Sequence, residues 1–162
     1  METKEQEGTK ESCTCSSCQR ACTFKPGWFL PGEAEQTATY LGIPLQQLFA
    51  EKLAVDWWEE DSPVFVLSPA ILEHEAGTEF PSDPRGTCVF FRDGRCAIHP
   101  VKPFECRESL HGVEPGNRHE RVRTAWESHQ WQIQALLQRP PQAQSFSLID
   151  SLLLGGAWGR FA

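Results

Sequence analysis

The chain has 162 residues, which is about the length of one domain, and its 40% hydrophobic content is enough for a buried core. Its formal charge of −7 argues against non-specific binding to nucleic acid and against docking on an anionic membrane, because both need a basic surface.

The first twelve residues, METKEQEGTKES, are polar and charged and predict a disordered tail. They lack the apolar stretch of a secretory signal, and the chain contains no run of 18 apolar residues. These features predict a cytoplasmic protein. Because the cytosol keeps thiols reduced, and because seven is an odd number of cysteines, a disulfide framework is disfavoured.

Two short helices are predicted after an aromatic loop at residues 24–30. Residues 31–42 start at a proline, carry glutamates in the first turn and stop at Gly42. Residues 44–54 predict a second helix in the same way, with Pro44 at its start and a stripe of apolar residues after it. PVFVLS, at residues 63–68, is a β-branched and aromatic run that predicts a strand.

The second half of the chain predicts a hairpin and then helix. In TCVFFRDGRCAIHP, an Asp-Gly turn separates two short apolar runs, which predicts a β-hairpin. Residues 117–139 form the longest helical pattern, and the two prolines that follow are expected to end it. The apolar residues after 145 predict one more short helix. The predicted fold is therefore a loop-rich α+β domain with a C-terminal helical extension.

Four of the seven cysteines fall within CTCSSCQRAC. Cys15, Cys18 and Cys22 are spaced C-x2-C-x3-C, and Cys13 lies just before them. A C-x2-C pair lets two thiolates converge on one ion from a tight turn, and Cys22 shares a face with Cys18 if a helical turn begins there. A thioredoxin-like redox pair is the alternative, but no strand precedes the motif.

Cys88, Cys96 and Cys106 form a second group, spaced C-x7-C-x9-C, and the predicted turn brings Cys88 close to Cys96. His99 lies between the last two and is a candidate ligand or a hydrogen-bond donor to a thiolate. Thiolates are the soft ligands of zinc and iron–sulfur centres. The predicted metal ligands are Cys15, Cys18, Cys22, Cys88, Cys96 and Cys106, with Cys13 and His99 as further candidates.

CSSCQRAC…PGWFLPGEAEQTATYLGIP, followed by CVFFRDGRCAIHPVKPFECR, resembles the YkgJ-type cysteine-cluster family, a zinc- or iron-chelating CxxCxxCC domain. The resemblance covers residues 13–110 and implies chelation of an iron–sulfur cluster or zinc. The family has an adjacent cysteine pair where this chain has Ala21-Cys22, and an arginine where it has Lys102. Cys13 is additional to the family pattern.

Both a [4Fe–4S] cluster and a single zinc take four thiolates, so the cysteine count leaves both open, and the resemblance favours the cluster. The sequence predicts a metal-binding protein. The alternatives are an iron–sulfur redox protein or enzyme subunit, acting in electron transfer or protein modification, and a structural zinc module for protein interaction. A protein partner is compatible with the acidic surface, and the oligomeric state is left open.

Three segments are expected. Residues 1–12 form the tail, residues 13–110 form the cysteine-cluster metal-binding domain, and residues 111–162 form a helical extension packed on that domain.

Overall fold

The computed structural model describes residues 15–58, 62–81, 83–109 and 116–138. The α-helices in these ranges are α1 (Ser16–Thr23), α2 (Glu33–Leu41), α3 (Leu45–Lys52), α4 (Phe104–Glu108), α5 (Arg118–Trp126) and α6 (Gln130–Gln138). The strands are β1 (Leu53–Trp58), β2 (Val64–Pro69), β3 (Phe91–Arg92) and β4 (Arg95–Cys96), and a 3-10 turn spans His99–Val101. This mixture confirms the predicted α+β class.

Helices α2 and α3 lie where the proline and glycine residues at their ends predict. Gly42 ends α2 with a φ of 70°, a left-handed conformation that glycine adopts without strain, and its N–H donates to the last carbonyls of the helix. Pro44 caps the start of α3 in an extended conformation. Local chemistry is therefore sufficient to set this helix–turn–helix unit.

Strand β1 is the main departure from the predicted elements. The helix predicted to reach residue 54 ends at Lys52, and the next six residues pair antiparallel with β2, from Leu53 opposite Pro69 to Trp58 opposite Val64. The strand starts as LAV, which is buried on both faces, so pairing with β2 overrides the helical pattern. Both tryptophans at its end are half-buried.

The hairpin is shorter than expected and the long helix is broken. Strands β3 and β4 pair only over two residues each, around the predicted Asp-Gly turn. The helix predicted over 117–139 is two helices, α5 and α6, separated at residues 127–129. The break lets the amide of Gln130 bind the backbone of Phe65 on β2, donating to its carbonyl at 2.8 Å and accepting from its N–H at 3.0 Å.

Helices α5 and α6 pack on β2 and close the core. Trp126 is fully buried, and its indole N–H donates to the carbonyl of Phe29 at 2.7 Å, which ties α5 to the aromatic loop. The predicted N-terminal tail and terminal helix lie outside the described residues. None of the described helices is long and apolar enough to cross a membrane.

Candidate metal centre

Helix α1 presents Cys18 and Cys22 one turn apart, on the same face of the helix. Two hydrogen bonds fix this helix against the second cysteine group. The N–H of Cys88 donates to the carbonyl of Cys22 at 2.8 Å, and the Gln19 side chain donates to the carbonyl of Gly94 at 3.0 Å. The two cysteine groups, distant in sequence, therefore meet in space.

A small cavity of about 40 Å³ lies where they meet. Three separate segments of the chain supply its thiols: helix α1, the hairpin region and helix α4. The cysteines in its walls are Cys18, Cys22, Cys88, Cys96 and Cys106.

Five of the six predicted ligands thus line one cavity. The sixth, Cys15, is exposed at the N-terminal cap of α1 and is not part of the cavity wall. Cys13 lies outside the described residues. His99, the candidate nitrogen ligand, does line the cavity.

Burial raises the pKa of four of these thiols. It raises the pKa of Cys22 to about 11 and that of Cys88 to about 12, against an ordinary value of 9.0, and the neighbouring thiols add to the rise. Burial likewise raises the pKa of Cys96, and raises that of Cys106 well above 9.0. Without a metal these side chains are neutral thiols at physiological pH.

Neighbouring backbone N–H groups nevertheless act to lower the pKa of three of the thiols. The pairs are Phe90 and Phe91 with Cys88, Ile98 with Cys96, and Gly27 with Cys106. Each of these hydrogen bonds lowers the pKa of the sulfur that accepts it, because an N–H dipole favours the thiolate. Such N–H donors are part of how proteins hold and tune thiolate-ligated centres.

Gly27 is required by close packing against Cys106. A Cβ placed on Gly27 would lie 2.9 Å from the Cys106 sulfur, 2.8 Å from the Cys106 backbone nitrogen and 2.8 Å from the Glu105 Cβ. These separations are too short for any side chain, so glycine lets the aromatic loop approach the thiol.

Lys102 supplies a buried positive charge beside the thiols. Its residue is only 7% exposed, its ammonium lies 3.2 Å from Nδ1 of His99, and both side chains line the cavity. The charge of Lys102 lowers the pKa of Cys22 and of Cys96. The structure thus places this lysine beside the thiols.

Helix α4 is held in place by the buried carboxylate of Glu33. One oxygen accepts the N–H of Leu30 at 2.7 Å and that of Phe104 at 3.0 Å, and the other pairs with the Arg107 guanidinium at 2.5 Å. Arg107 thereby clamps α4 onto α2. This clamp sets the position of Cys106, and no signal in the sequence pointed to it.

The chemistry of these donors fits a thiolate-ligated group: soft sulfur ligands, N–H donors aimed at sulfur, and a buried cation. The described donors do not, however, converge on a single ion position. Among the described residues, no three Cys, His, Asp or Glu side chains are placed so that they could hold one metal ion as they stand.

The chain matches no family model, no curated protein and no solved structure. The resemblance to the YkgJ-type family therefore rests on the motifs themselves.

Proposed function

We propose that this chain is a metal-binding protein that holds an iron–sulfur centre, of the [4Fe–4S] type, in the thiol-lined cavity. The observation that carries the proposal is the convergence of five cysteines, from three segments of the chain, on the same buried cavity. The resemblance to the YkgJ-type family, which implies iron–sulfur or zinc chelation, supports it.

Charge supports the same assignment. A buried ammonium is costly unless an opposite charge accompanies it, and in the described part of the chain the hydrogen-bond partner of the Lys102 ammonium is the His99 ring, which carries no negative charge. Thiolates on a metal centre would supply the missing negative charge. Lys102 is therefore expected to hold the anionic centre electrostatically, without ligating it.

A catalytic or redox thiol pair is less compatible with the cavity. Reactive cysteines have a lowered pKa and are accessible, whereas burial raises the pKa of Cys22, Cys88, Cys96 and Cys106. A metal displaces the thiol proton when it binds, so raised values are compatible with a ligand role.

The number and spread of the thiols favour a cluster over a single ion. A zinc ion needs four donors at about 2.3 Å, which crowds the sulfurs together. Five cysteines surround the cavity, and no three described donors are placed to share one ion. The small cavity volume of about 40 Å³ is the observation that favours the second candidate, a structural zinc.

A bound iron–sulfur cluster would supply one-electron chemistry. The chain's own residues would bind it through cysteine sulfurs, while neighbouring backbone N–H groups and the charge of Lys102 would stabilise the thiolates.

The test is an absorption spectrum with elemental analysis of protein purified anaerobically without added metal. A brown protein with a broad band near 400 nm and about four irons per chain is the expected result. A colourless protein with about one zinc would replace the cluster by the second candidate. Protein with neither metal, and with freely titrating thiols, would overturn metal binding itself.

Single Cys→Ser variants then identify the ligands. Substitutions at Cys22, Cys88 and Cys106 are expected to reduce the metal content, because these residues line the cavity. Cys15→Ser is the matched control, since Cys15 is exposed and does not line the cavity. Equal metal loss in the control would place Cys15 among the ligands, as the motif alone suggests.

A further inference from the structure

Two of the three segments that carry the thiols are basic in an acidic chain. Residues 15–30 and 83–96 together hold five basic and two acidic side chains, whereas the remaining residues hold 10 basic and 20 acidic ones. A local reversal of charge of this kind creates a surface potential that attracts and orients an oppositely charged partner.

Phe24, at the end of α1, is the centre of this surface. Its ring is 45% exposed, and two guanidinium groups lie over it, that of Arg85 at 4.4 Å and that of Arg20 at 5.8 Å. Asp83 pairs with Arg85 at 2.6 Å and with Lys25 at 2.7 Å, which holds the Arg85 guanidinium over the ring and joins Lys25 to the same group of charges. An exposed aromatic ring flanked by arginines has the composition typical of the energetic centre of a protein interface.

The hairpin, which is hydrogen-bonded to α1, adds two more cations. Arg92 and Arg95 lie directly opposite each other in the β3–β4 register, and both are exposed. The turn between them is fastened to α1 by the Gln19 hydrogen bond to Gly94.

We propose that this basic face, made up of Arg20, Phe24, Lys25, Arg85, Arg92 and Arg95, is the docking surface for an acidic segment of a protein partner. A short acidic segment can bind within the face. A longer nucleic acid strand is disfavoured, because the rest of the chain carries an excess of acidic side chains that repel phosphates.

The basic face is separate in role from the metal centre. Lys102 is the buried cation that acts on the thiols, whereas Arg20 and Arg92 are exposed to solvent. In the described part of the chain, neither Arg20 nor Arg92 forms an ion pair with a carboxylate, so both guanidinium groups are available to an incoming partner. Docking is therefore expected whether or not the cavity holds a metal.

The experiment uses the full chain and a short fluorescein-labelled peptide made of Asp, Glu and one Leu. Fluorescence anisotropy is recorded at about 50 and about 300 mM salt, because screening weakens exposed charge pairs. The probes for comparison are the same peptide with Asn and Gln in place of the acids, and a single-stranded oligonucleotide of equal charge. The test variant is Arg20→Glu/Arg92→Glu, and the matched control is Arg121→Glu/Arg118→Glu on α5.

The acidic peptide is expected to bind, to bind more weakly at the higher salt concentration, and to lose about tenfold or more in affinity in the test variant but not in the control. Thermal melting checks that both variants fold. Absence of binding, equal loss in the control, or tighter binding of the oligonucleotide than of the peptide would each overturn the proposal.

Discussion

The backbone N–H of Cys88 donates to the carbonyl of Cys22 at 2.8 Å, which joins the two cysteine groups of the chain directly. The hydrogen bond fixes the end of α1 against the start of the hairpin region, so the two thiols face the same cavity. A metal centre in this position would connect elements that otherwise share few contacts. Metal binding and folding are therefore expected to be coupled.

Replacing Lys102 should lower the affinity for metal without lowering the stability of the metal-free protein. Lys102→Met keeps the bulk of the side chain and removes its charge, so metal affinity should fall by about 10- to 100-fold, as for other residues that support ligands from outside the coordination sphere. The metal-free fold should become equally stable or more stable, because a buried ammonium is removed. Chelator competition and urea unfolding measure the two quantities. Lys102→Arg, which keeps the charge, is the control, and wild-type affinity in Lys102→Met would contradict the electrostatic role.

The stability of the metal-free protein should fall in alkaline solution. Burial raises the pKa of Cys22 to about 11 and that of Cys88 to about 12, above the ordinary value of 9.0. Because the folded state holds these protons more tightly than the unfolded state, their contribution is complete below pH 9.0 and is lost as the pH rises through about 11. The loss of stability is measured by urea unfolding between pH 7 and pH 11 under reducing conditions.

The loaded protein should show the opposite trend. A metal keeps its thiolates deprotonated in the fold, so its stabilisation is greatest above pH 9.0 and declines as the pH falls. Cys88→Ala should flatten the alkaline loss in the metal-free protein, whereas Cys15→Ala, at an exposed position, should leave it unchanged. The same pH profile with and without metal would rule out thiolate ligation.

Gly27→Ala should disturb the cavity from the loop side. The added methyl group would lie within 2.9 Å of the Cys106 sulfur and 2.8 Å of its backbone nitrogen, so helix α4 or the loop must shift. The free energy of unfolding should fall by about 1–3 kcal/mol, and the metal content should fall with it. Gly116→Ala is the comparison. A Cβ there meets no atom within 4 Å, so this variant tests only the cost of placing alanine at a positive φ. It should retain the metal, and retention by Gly27→Ala as well would contradict the packing argument.

Two tryptophans test the attachment of the C-terminal helices. Trp126→Phe removes the buried indole N–H and leaves the carbonyl of Phe29 without its donor, which should lower the free energy of unfolding by roughly 1–3 kcal/mol. Trp131→Phe makes the same chemical change at a side chain that is 68% exposed, and it should change stability by less than about 0.5 kcal/mol. Chemical denaturation of both variants checks the difference. Equal effects would mean that α5 does not depend on this contact.

Local patterns determined much of the fold. Gly42 and Pro44 mark the boundary between α2 and α3 because left-handed backbone and a fixed φ are properties of single residues. The Asp-Gly turn likewise fixed the position of the hairpin. The spacing of Cys18 and Cys22 predicts a shared helix face, and α1 has that face.

The features that depend on long-range contacts became visible only in the tertiary structure. Strand β1 exists because β2 pairs with it, although its sequence also suits a helix. Cys15 satisfies the C-x2-C motif but is exposed and does not line the cavity, since the position of α1 depends on its docking to the hairpin region. Lys102 could have lain at the surface, and its burial beside the thiols follows from how α4 is clamped by Glu33. Sequence spacing therefore identifies the residues able to ligate a metal, while packing between distant segments selects which of them meet.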